Sequence, residues 1–452
     1  MKSILDRYRR LSENNKIVVT NVVGAFIVKG FALFVTLYTL PVYIKFFNNS
    51  EVLGLWFTIL SLLNWILNFD LGIGNGLRNK LAKSIALKNN TLTCHYISSA
   101  YFSVGMIIIL ISSVFPFLLY NVDLNHFLNI SQDILSQSAL YISTVIVLVG
   151  VMLQFWIRMI CSILYALQKS SINNFLVLCT NVLILLYAKF APPGSNDNNV
   201  IAMSIVHGVA VLLPLLIATL WIFCGSLKFA IPKWKYVTQI YVREVVGLGG
   251  TFFFIQIAYM IIMSTNEYLI TITASNSDNI KYQVYYKLFS LGSTIFALML
   301  TPIWSVVTKA LAENNHLWIK NTYHRFLKLG ALFCFCEFLL ILFIQPLVNL
   351  WIGDGYIDIS ISYCFCFAVF GSLMIFISIL SSIANGIGRL KSQALCFGIG
   401  AILKVPLSIF LVHVSGSWIG VVIANIICMG IYCIIEPILM NGYLNYHIGN
   451  IK

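Results

Sequence analysis

Charge is what this chain of 452 residues has least of. Only 10% of its residues are charged, against 60% that are hydrophobic, and its mean hydropathy is +0.90. A soluble domain carries about 25% charged residues. A water-soluble globule is therefore excluded, and a polytopic membrane protein is expected. Long polar segments are scarce too. The outer loops run to under about 20 residues, an ordinary connection length. That argues against a membrane polymerase or ligase of lipid-linked glycans, which needs a large loop to hold catalytic groups. GxxxxGK[ST] is missing, so ATP is not expected as a direct energy source. Cysteine and histidine show no ligand-like clustering. The 11 cysteines lie almost all in apolar runs, Cys334-Phe-Cys336 and Cys364-Phe-Cys366 among them. They read as small hydrophobes, not as zinc ligands or a disulfide framework. Neither a metal nor a cofactor is expected.

What charge there is has a bias. The net charge of +13 suits nucleic acid, but the basic residues lie in short loops between apolar runs, so no nucleic acid is expected. One set of segments holds the N-terminal tail, Arg78, Lys80, Lys83, Lys88, Lys169, Lys228, Lys233, Lys235, Arg243, Lys309, Lys320, Arg325, Lys328, Arg389, Lys391 and Lys452. The opposite loops are nearly bare, and 121–137 and 351–360 contain no Lys or Arg. By the positive-inside rule both termini are cytoplasmic. The basic start leads into about thirty apolar-rich residues, longer than the 7–15 of a signal-peptide core, so no cleaved leader is expected.

Twelve spanning helices are expected, near 17–47, 52–69, 96–120, 138–165, 175–190, 200–224, 249–273, 282–306, 326–350, 361–385, 393–413 and 417–438. The fifth is the shortest. A faint repeat divides them. Asn79-Lys-Leu-Ala after the second helix resembles Thr308-Lys-Ala-Leu-Ala after the eighth. Tyr165-Ala-Leu-Gln-Lys169 after the fourth resembles Gly386-Ile-Gly-Arg-Leu-Lys391 after the tenth. An even number of helices per half keeps both halves in one orientation. The expected organisation is a tail (1–16), an N-lobe (17–224), a cytoplasmic linker (225–248), a C-lobe (249–438) and a second tail (439–452). The linker's Pro232, Trp234, Lys233 and Lys235 suit an interfacial helix on anionic lipid, or a plain tether.

The first apolar run holds Lys29 near its middle. About a dozen residues separate Ile17 from Lys29, roughly 18 Å along a helix. That depth is close to the midplane of a hydrocarbon layer about 30 Å thick. A charge there costs at least about 3 kcal/mol and marks a pathway or ligand site by default. Asn21, Ala25, Lys29, Ala32 and Thr36 recur at i+3/i+4, so Lys29 is expected on a small, polar face. The bland reading is a lysine paired with a buried carboxylate. The other charges inside spans are Glu267, Lys287, Glu337, Lys404 and Glu436. Asn64 and Asn68 form a polar stripe on the second helix. Gln256 and Glu267, with Asn266 beside them, do so on the seventh, and Lys287, Ser290, Thr294 and Thr301 on the eighth. These stripes point to a hydrated, cationic cavity between the lobes. Glu267 and Lys287 read equally as a structural ion pair. Glu337 is either a titrating carboxylate or a helix–helix hydrogen bond. Glu436 lies near the inner surface, and both acids are candidates for ion coupling.

Asp70-Leu-Gly-Ile-Gly-Asn-Gly-Leu-Arg-Asn-Lys80 is the most distinctive stretch. It is not GxGxxG and follows no strand, so it is not a nucleotide loop. Glycines there permit close backbone packing. The following Leu77, Leu81 and Ile85 with Arg78, Lys80 and Lys83 read as an amphipathic helix on the inner leaflet, with Asp70, Arg78 and Lys80 at a cytoplasmic gate or near headgroups.

At this stretch the sequence resembles bacterial O-antigen and exopolysaccharide flippases of the Wzx type, in the multidrug/oligosaccharidyl-lipid/polysaccharide exporter superfamily. Gly54-Leu-Trp-Phe, Ala166-Leu-Gln-Lys169, Phe253-Phe-Ile-Gln256 and Gly386-Ile-Gly-Arg389 extend the likeness across the chain. The resemblance implies an all-α, V-shaped, MATE-like bundle of two six-helix lobes in the bacterial inner membrane. It implies alternating access that moves an undecaprenyl-pyrophosphate-linked oligosaccharide from the inner to the outer leaflet. Anionic lipids and polysaccharide polymerase machinery are the partners it implies. In related lipid II flippases, cations on the first and eighth helices act on the pyrophosphate, and Lys29 and Lys287 occupy comparable helices. Lysine is a point charge without the bidentate fork of arginine. The rival reading in the same superfamily is a cation-coupled multidrug exporter, which calls for an acidic cavity.

Overall fold

Apolar runs with their polar groups at the ends form long helices, because only an internally bonded backbone tolerates hydrocarbon. The computed structural model describes residues 13–49, 51–57, 59–60, 72–120, 123–127, 131–192, 194–274, 276–352 and 358–449. Among them every long element is an α-helix: α1 (Glu13–Phe47), α2 (Ile73–Ala86), α3 (Asn90–Tyr120), α4 (Gln137–Ile157), α5 (Met159–Ala166), α6 (Ser170–Phe190), α7 (Asn196–Cys224), α8 (Gln239–Ser264), α9 (Asn266–Thr273), α10 (Asn276–Ala312), α11 (His316–Leu340), α12 (Ile344–Ile352), α13 (Ile361–Ile387), α14 (Lys391–Ser415) and α15 (Ile419–Gly449). Ten stretches of the described residues are long and apolar enough to cross a bilayer, and Val18–Ala32 of α1 is a shorter one. They match the third to twelfth expected spans. The fifth is a full helix of 21 residues, Ser170–Phe190.

Local chemistry sets the ends. Gly72 enters α2 with φ of 65°, a left-handed conformation that glycine adopts without Cβ strain. Ser136 caps α4 by accepting from the Ala139 amide at 3.2 Å. Asp197, in the first turn of α7, accepts from the Ser136 hydroxyl at 2.6 Å, which ties the starts of two helices together. Gly388 and Gly416 close α13 and α14 in left-handed conformation, the usual glycine stop.

The chain divides into two compact units, Met1–Gly250 and Thr251–Lys452. In the first, α1 lies along α6, α4 along α7, and α2 between α3 and α5. Asn21 fixes α1: its Nδ2 donates to the Gln168 carbonyl at 2.7 Å and its Oδ1 accepts from the Ser171 amide at 3.1 Å. In the second unit α13 is central, packed on α10, α11 and α15, and α14 lies along α15. The repeat noticed in the sequence has a counterpart inside each unit. Arg78 stacks over the Tyr165 ring at 4.5 Å in the first, and Thr308 Oγ1 donates to the Gly386 carbonyl at 2.8 Å in the second. In each unit one paired motif thus lies beside a contact to the other, from α2 to α5 in the first and from α10 to α13 in the second.

Residues 225–238 are not one interfacial helix. Two short 3₁₀ turns, Lys228–Ala230 and Trp234–Tyr236, are fastened to α3. Cys94 Sγ lies 3.4 Å from the Phe229 carbonyl, His95 Nδ1 lies 2.6 Å from the Tyr236 carbonyl, and the Lys233 amide donates to Ser98 Oγ at 3.1 Å. Trp234 stays exposed and sets its ring edge-on to Phe102.

Candidate functional site

In the first unit the site begins with Lys29. Asn21 and Ala25 are buried against α6, with Val28 and Ala32 half-buried on the same side. Lys29 sits at the rim of that face, roughly 70° round the helix at 100° per residue, and it is exposed. Among the described residues nothing pairs with its ammonium. The outward face is Val23, Phe26, Ile27, Phe31 and Phe34, all exposed and apolar. So the polar face of the sequence resolves into two parts, an inner seam at Asn21 and Ala25 and an open charge at Lys29. Asn64, Asn68 and Asp70 lie outside the described residues.

In the second unit Lys287 is exposed on α10, while Tyr282, Tyr285, Phe289 and Phe296 are buried. The polar stripe follows Lys287 along the helix. Ser290, Thr294 and Thr301 each return their hydroxyl to a carbonyl of α10, at 3.5, 2.8 and 3.0 Å. That keeps the hydroxyls satisfied in an apolar setting while their oxygens stay available as acceptors. Glu267 is exposed in the first turn of α9, where the helix dipole favours an anion. It accepts from Gln283 Nε2 at 2.6 Å. Gln256 is half-buried on α8.

Asn266 has another place than the expected cavity wall. It is fully buried. Its Nδ2 donates to Tyr282 Oη at 2.9 Å and to the Met263 carbonyl at 3.0 Å, and its Oδ1 accepts from Asn425 Nδ2 at 3.0 Å. The amide bridges the break between α8 and α9 to α10 and α15. Lys404 is also fully buried and donates to the Val421 carbonyl at 2.9 Å.

Of the expected headgroup residues that are described, Arg78 turns inward and Lys80 is half-buried. α2 is buried on most sides, because it packs between α3 and α5 and does not float on a surface. Arg78 is inside, and burial pushes its guanidinium down to about 9, with Tyr165 opposing the shift. Lys80 donates to Glu244 Oε2 at 2.6 Å, and Tyr96 Oη donates to the same oxygen at 2.8 Å. Glycine permits this approach. A Cβ at Gly76 would lie 2.5 Å from the Val245 carbonyl, and one at Gly249 would lie 2.9 Å from Ile73 Cα. The glycine-rich motif is thus the seat of α8 on α2. Glu244 and Tyr96 were not singled out in the sequence. The signal for Glu244 was there, as the one acid between Lys228 and Gly250.

Glu337 and Glu436 are both buried. Ser392 Oγ makes a short hydrogen bond to Glu436 Oε2. The Tyr432 and Tyr323 hydroxyls lie buried without hydrogen-bond partners among the described residues. Glu337 accepts from Ser372 Oγ at a long 3.4 Å. No group of three or more metal-ligating side chains occurs among the described residues.

No family model matches the sequence, and no curated protein matches it by sequence. Solved structures match it by fold. A MATE protein in complex with MaD3S superposes with a TM-score of 0.75 at 14% identity, over 96% of this chain and 98% of that one. An outward-facing multidrug resistance MATE family transporter of the MOP superfamily gives 0.75 at 13% identity, over 96% and 97%. MATE in its bent conformation gives 0.75 at 15% identity, over 97% and 100%. At such identities the likeness is one of architecture: this chain has the all-α, multi-pass fold of the MATE transporters.

Proposed function

We propose that this protein is a flippase that carries an undecaprenyl-pyrophosphate-linked oligosaccharide, such as an O-antigen repeat unit, from the inner to the outer leaflet of the bacterial cytoplasmic membrane by alternating access. The observation that carries the reading is Lys29. It is an exposed ammonium in mid-helix with no partner among the described residues, and such a charge at membrane depth calls for water or an anionic ligand. Lys287, exposed at the head of a hydroxyl stripe, supplies a second cation. A pyrophosphate cannot cross hydrocarbon alone. Cations and hydroxyls must replace its water, while the isoprenoid tail stays in lipid. Loop charges orient both termini to the cytoplasm. The basic, tryptophan-bearing segment 228–243 then meets anionic headgroups, and polysaccharide polymerase machinery receives the unit outside.

A multidrug exporter fits the fold equally well. It is disfavoured by where the acids lie. Glu337 and Glu436 are buried, and the exposed Glu267 is already bonded to Gln283. That leaves Glu267 as the exposed acid of the three, against the exposed cations Lys29 and Lys287. A null strain complemented with wild type or Lys29→Ala decides between the readings. The expected result is loss of surface polysaccharide and build-up of lipid-linked sugar on the inner leaflet, with protein level unchanged. Normal polymer in the null strain, together with raised drug sensitivity, establishes the exporter instead. Normal polymer with Lys29→Ala alone overturns the role of the charge.

A further inference from the structure

The acid that the proposed transport path leaves unused is Glu337. It sits in α11 at 5% exposure, between Phe335 and Leu339, which face outward. Its carboxyl enters a niche made by two helix-interior glycines. A Cβ at Gly292 of α10 would lie 2.6 Å from Oε1. One at Gly371 of α13 would lie 2.7 Å from Oε2 and 2.8 Å from the Phe289 carbonyl. Three helices therefore meet on one carboxyl group, and no larger residue at either glycine leaves room for it.

The niche does not satisfy an anion. Ser372 Oγ reaches Oε2 only at 3.4 Å, and Oε1 has no hydrogen-bond partner. Among the described residues no ion pair involves Glu337. The titratable groups at the junction are Cys334 on α11, Tyr286 on α10 through its ring on Phe370, and Cys433 on α15 beside the Leu373 carbonyl. None is cationic, and Lys287 on α10 is exposed. A carboxylate left this way, dry and half-bonded, is costly. A carboxylic acid is not, because it is neutral, and the carbonyl exposed to the same niche, that of Phe289, repels a carboxylate and not a neutral acid. A metal ion is a poor occupant, since one carboxyl and one serine fall short of the six or more oxygens that a hard cation such as Ca²⁺ takes.

We propose that Glu337 is a reversible proton-binding site, and that its proton sets how closely α10 and α13 close on α11. With the proton bound the junction is neutral and shut. With the proton gone the carboxylate draws water and the helices part. The site is independent of what the protein carries. Its consequence for transport, a dependence of flipping on pH, rests on the flippase reading.

The test uses the full chain purified into lipid nanodiscs, with no substrate. Infrared difference spectra are recorded between mildly acid and alkaline buffer. The expected result is a protonated-carboxyl band in acid that is lost in alkali, absent in Glu337→Gln and altered in Ser372→Ala. A band that persists in Glu337→Gln, or a wild type with no titrating band, overturns the site. Glu337→Gln is nearly isosteric, and Glu337→Asp keeps the acid while shortening its reach, so at least one folded variant is available. Hydrogen exchange in α10, α11 and α13 reads closure. Protection there should fall in alkali for wild type and stay constant for Glu337→Gln, and identical pH responses overturn the switch. Proteoliposome flipping of lipid-linked glycan then separates the two proposals. No flipping at any pH removes the flippase reading and leaves the proton site standing.

Discussion

Gly76→Ala tests the packing logic most directly. The new Cβ would lie 2.5 Å from the Val245 carbonyl oxygen and 3.0 Å from the Gly249 amide nitrogen. Close C–H···O contacts lie at about 3.3–3.6 Å, so α2 and α8 must part by roughly 1 Å there. Neither neighbour is the flexible end of a side chain, so the strain cannot be absorbed by a rotamer. The shift also pulls on Glu244, held by Lys80 at 2.6 Å and Tyr96 at 2.8 Å. Overpacking of this kind costs about 1–3 kcal/mol. Replacing a helical glycine by alanine returns about 0.5–1 kcal/mol. The net expectation is a loss of about 1–2 kcal/mol, or roughly 2–8 °C in Tm for a domain of 150–250 residues. Tryptophan fluorescence on the detergent-purified protein reads it. Gly250→Ala is the control, because nothing lies within 4 Å of a Cβ there, and it should melt no lower than wild type. If Gly76→Ala melts at or above wild type, or Gly250→Ala falls as far, the close-packing account of the glycine motif is wrong.

Two further outcomes are expected. A double-mutant cycle on Lys80→Ala and Glu244→Ala should give a coupling of about 0.5–1 kcal/mol, modest because both side chains are about a third exposed (30% and 37%), and strict additivity in melting or denaturant curves would show that the pair contributes nothing. Lys404→Met should leave stability unchanged or raise it, since a buried charge exchanged for an apolar chain of similar length is often neutral or favourable. A fall of more than about 2 kcal/mol would mean that the bond to the Val421 carbonyl holds α14 to α15.

The helices were legible because hydrophobic length is a one-dimensional signal. The spans from 90 onward fall where apolar runs predict them, and the helices extend further into polar sequence, by about half a turn at Lys391 and by nearly three turns at His316. The paired motifs were legible because similar residues recur at similar places in the two halves, although their contacts differ. Partners were not. Glu244 is 164 residues from Lys80, and Asn266 is 159 from Asn425. Nothing local distinguishes an asparagine that lines water from one that ties three helices together. The stripe Gln256, Asn266, Glu267 looked uniform, yet Asn266 is buried and Glu267 exposed. The two are adjacent in the first turn of α9, and about 100° per residue points them to different sides. Arg78 misled for a similar reason. A basic residue beside leucines reads as a lipid-facing amphipathic helix, but the glycines before it let α2 sink into the first unit.

Four of the in-span charges bear on mechanism, with the buried Lys404 and the exposed Glu267 standing apart from them. The exposed cations are Lys29 and Lys287, and the deeply buried acids are Glu337 and Glu436. A glycan headgroup is too large to reach a carboxyl sealed between three helices, whereas a proton is not. On the two proposals made above, recognition of an anionic cargo and response to pH belong to different residues, each placed where its ligand can reach it. Loss of Lys29 should weaken cargo binding and leave the Glu337 infrared band in place. Loss of Glu337 should remove the band and leave cargo binding intact. A single variant that abolished both would show that the charges act as one network, which the absence of any ion pair on either Lys29 or Glu337 among the described residues argues against.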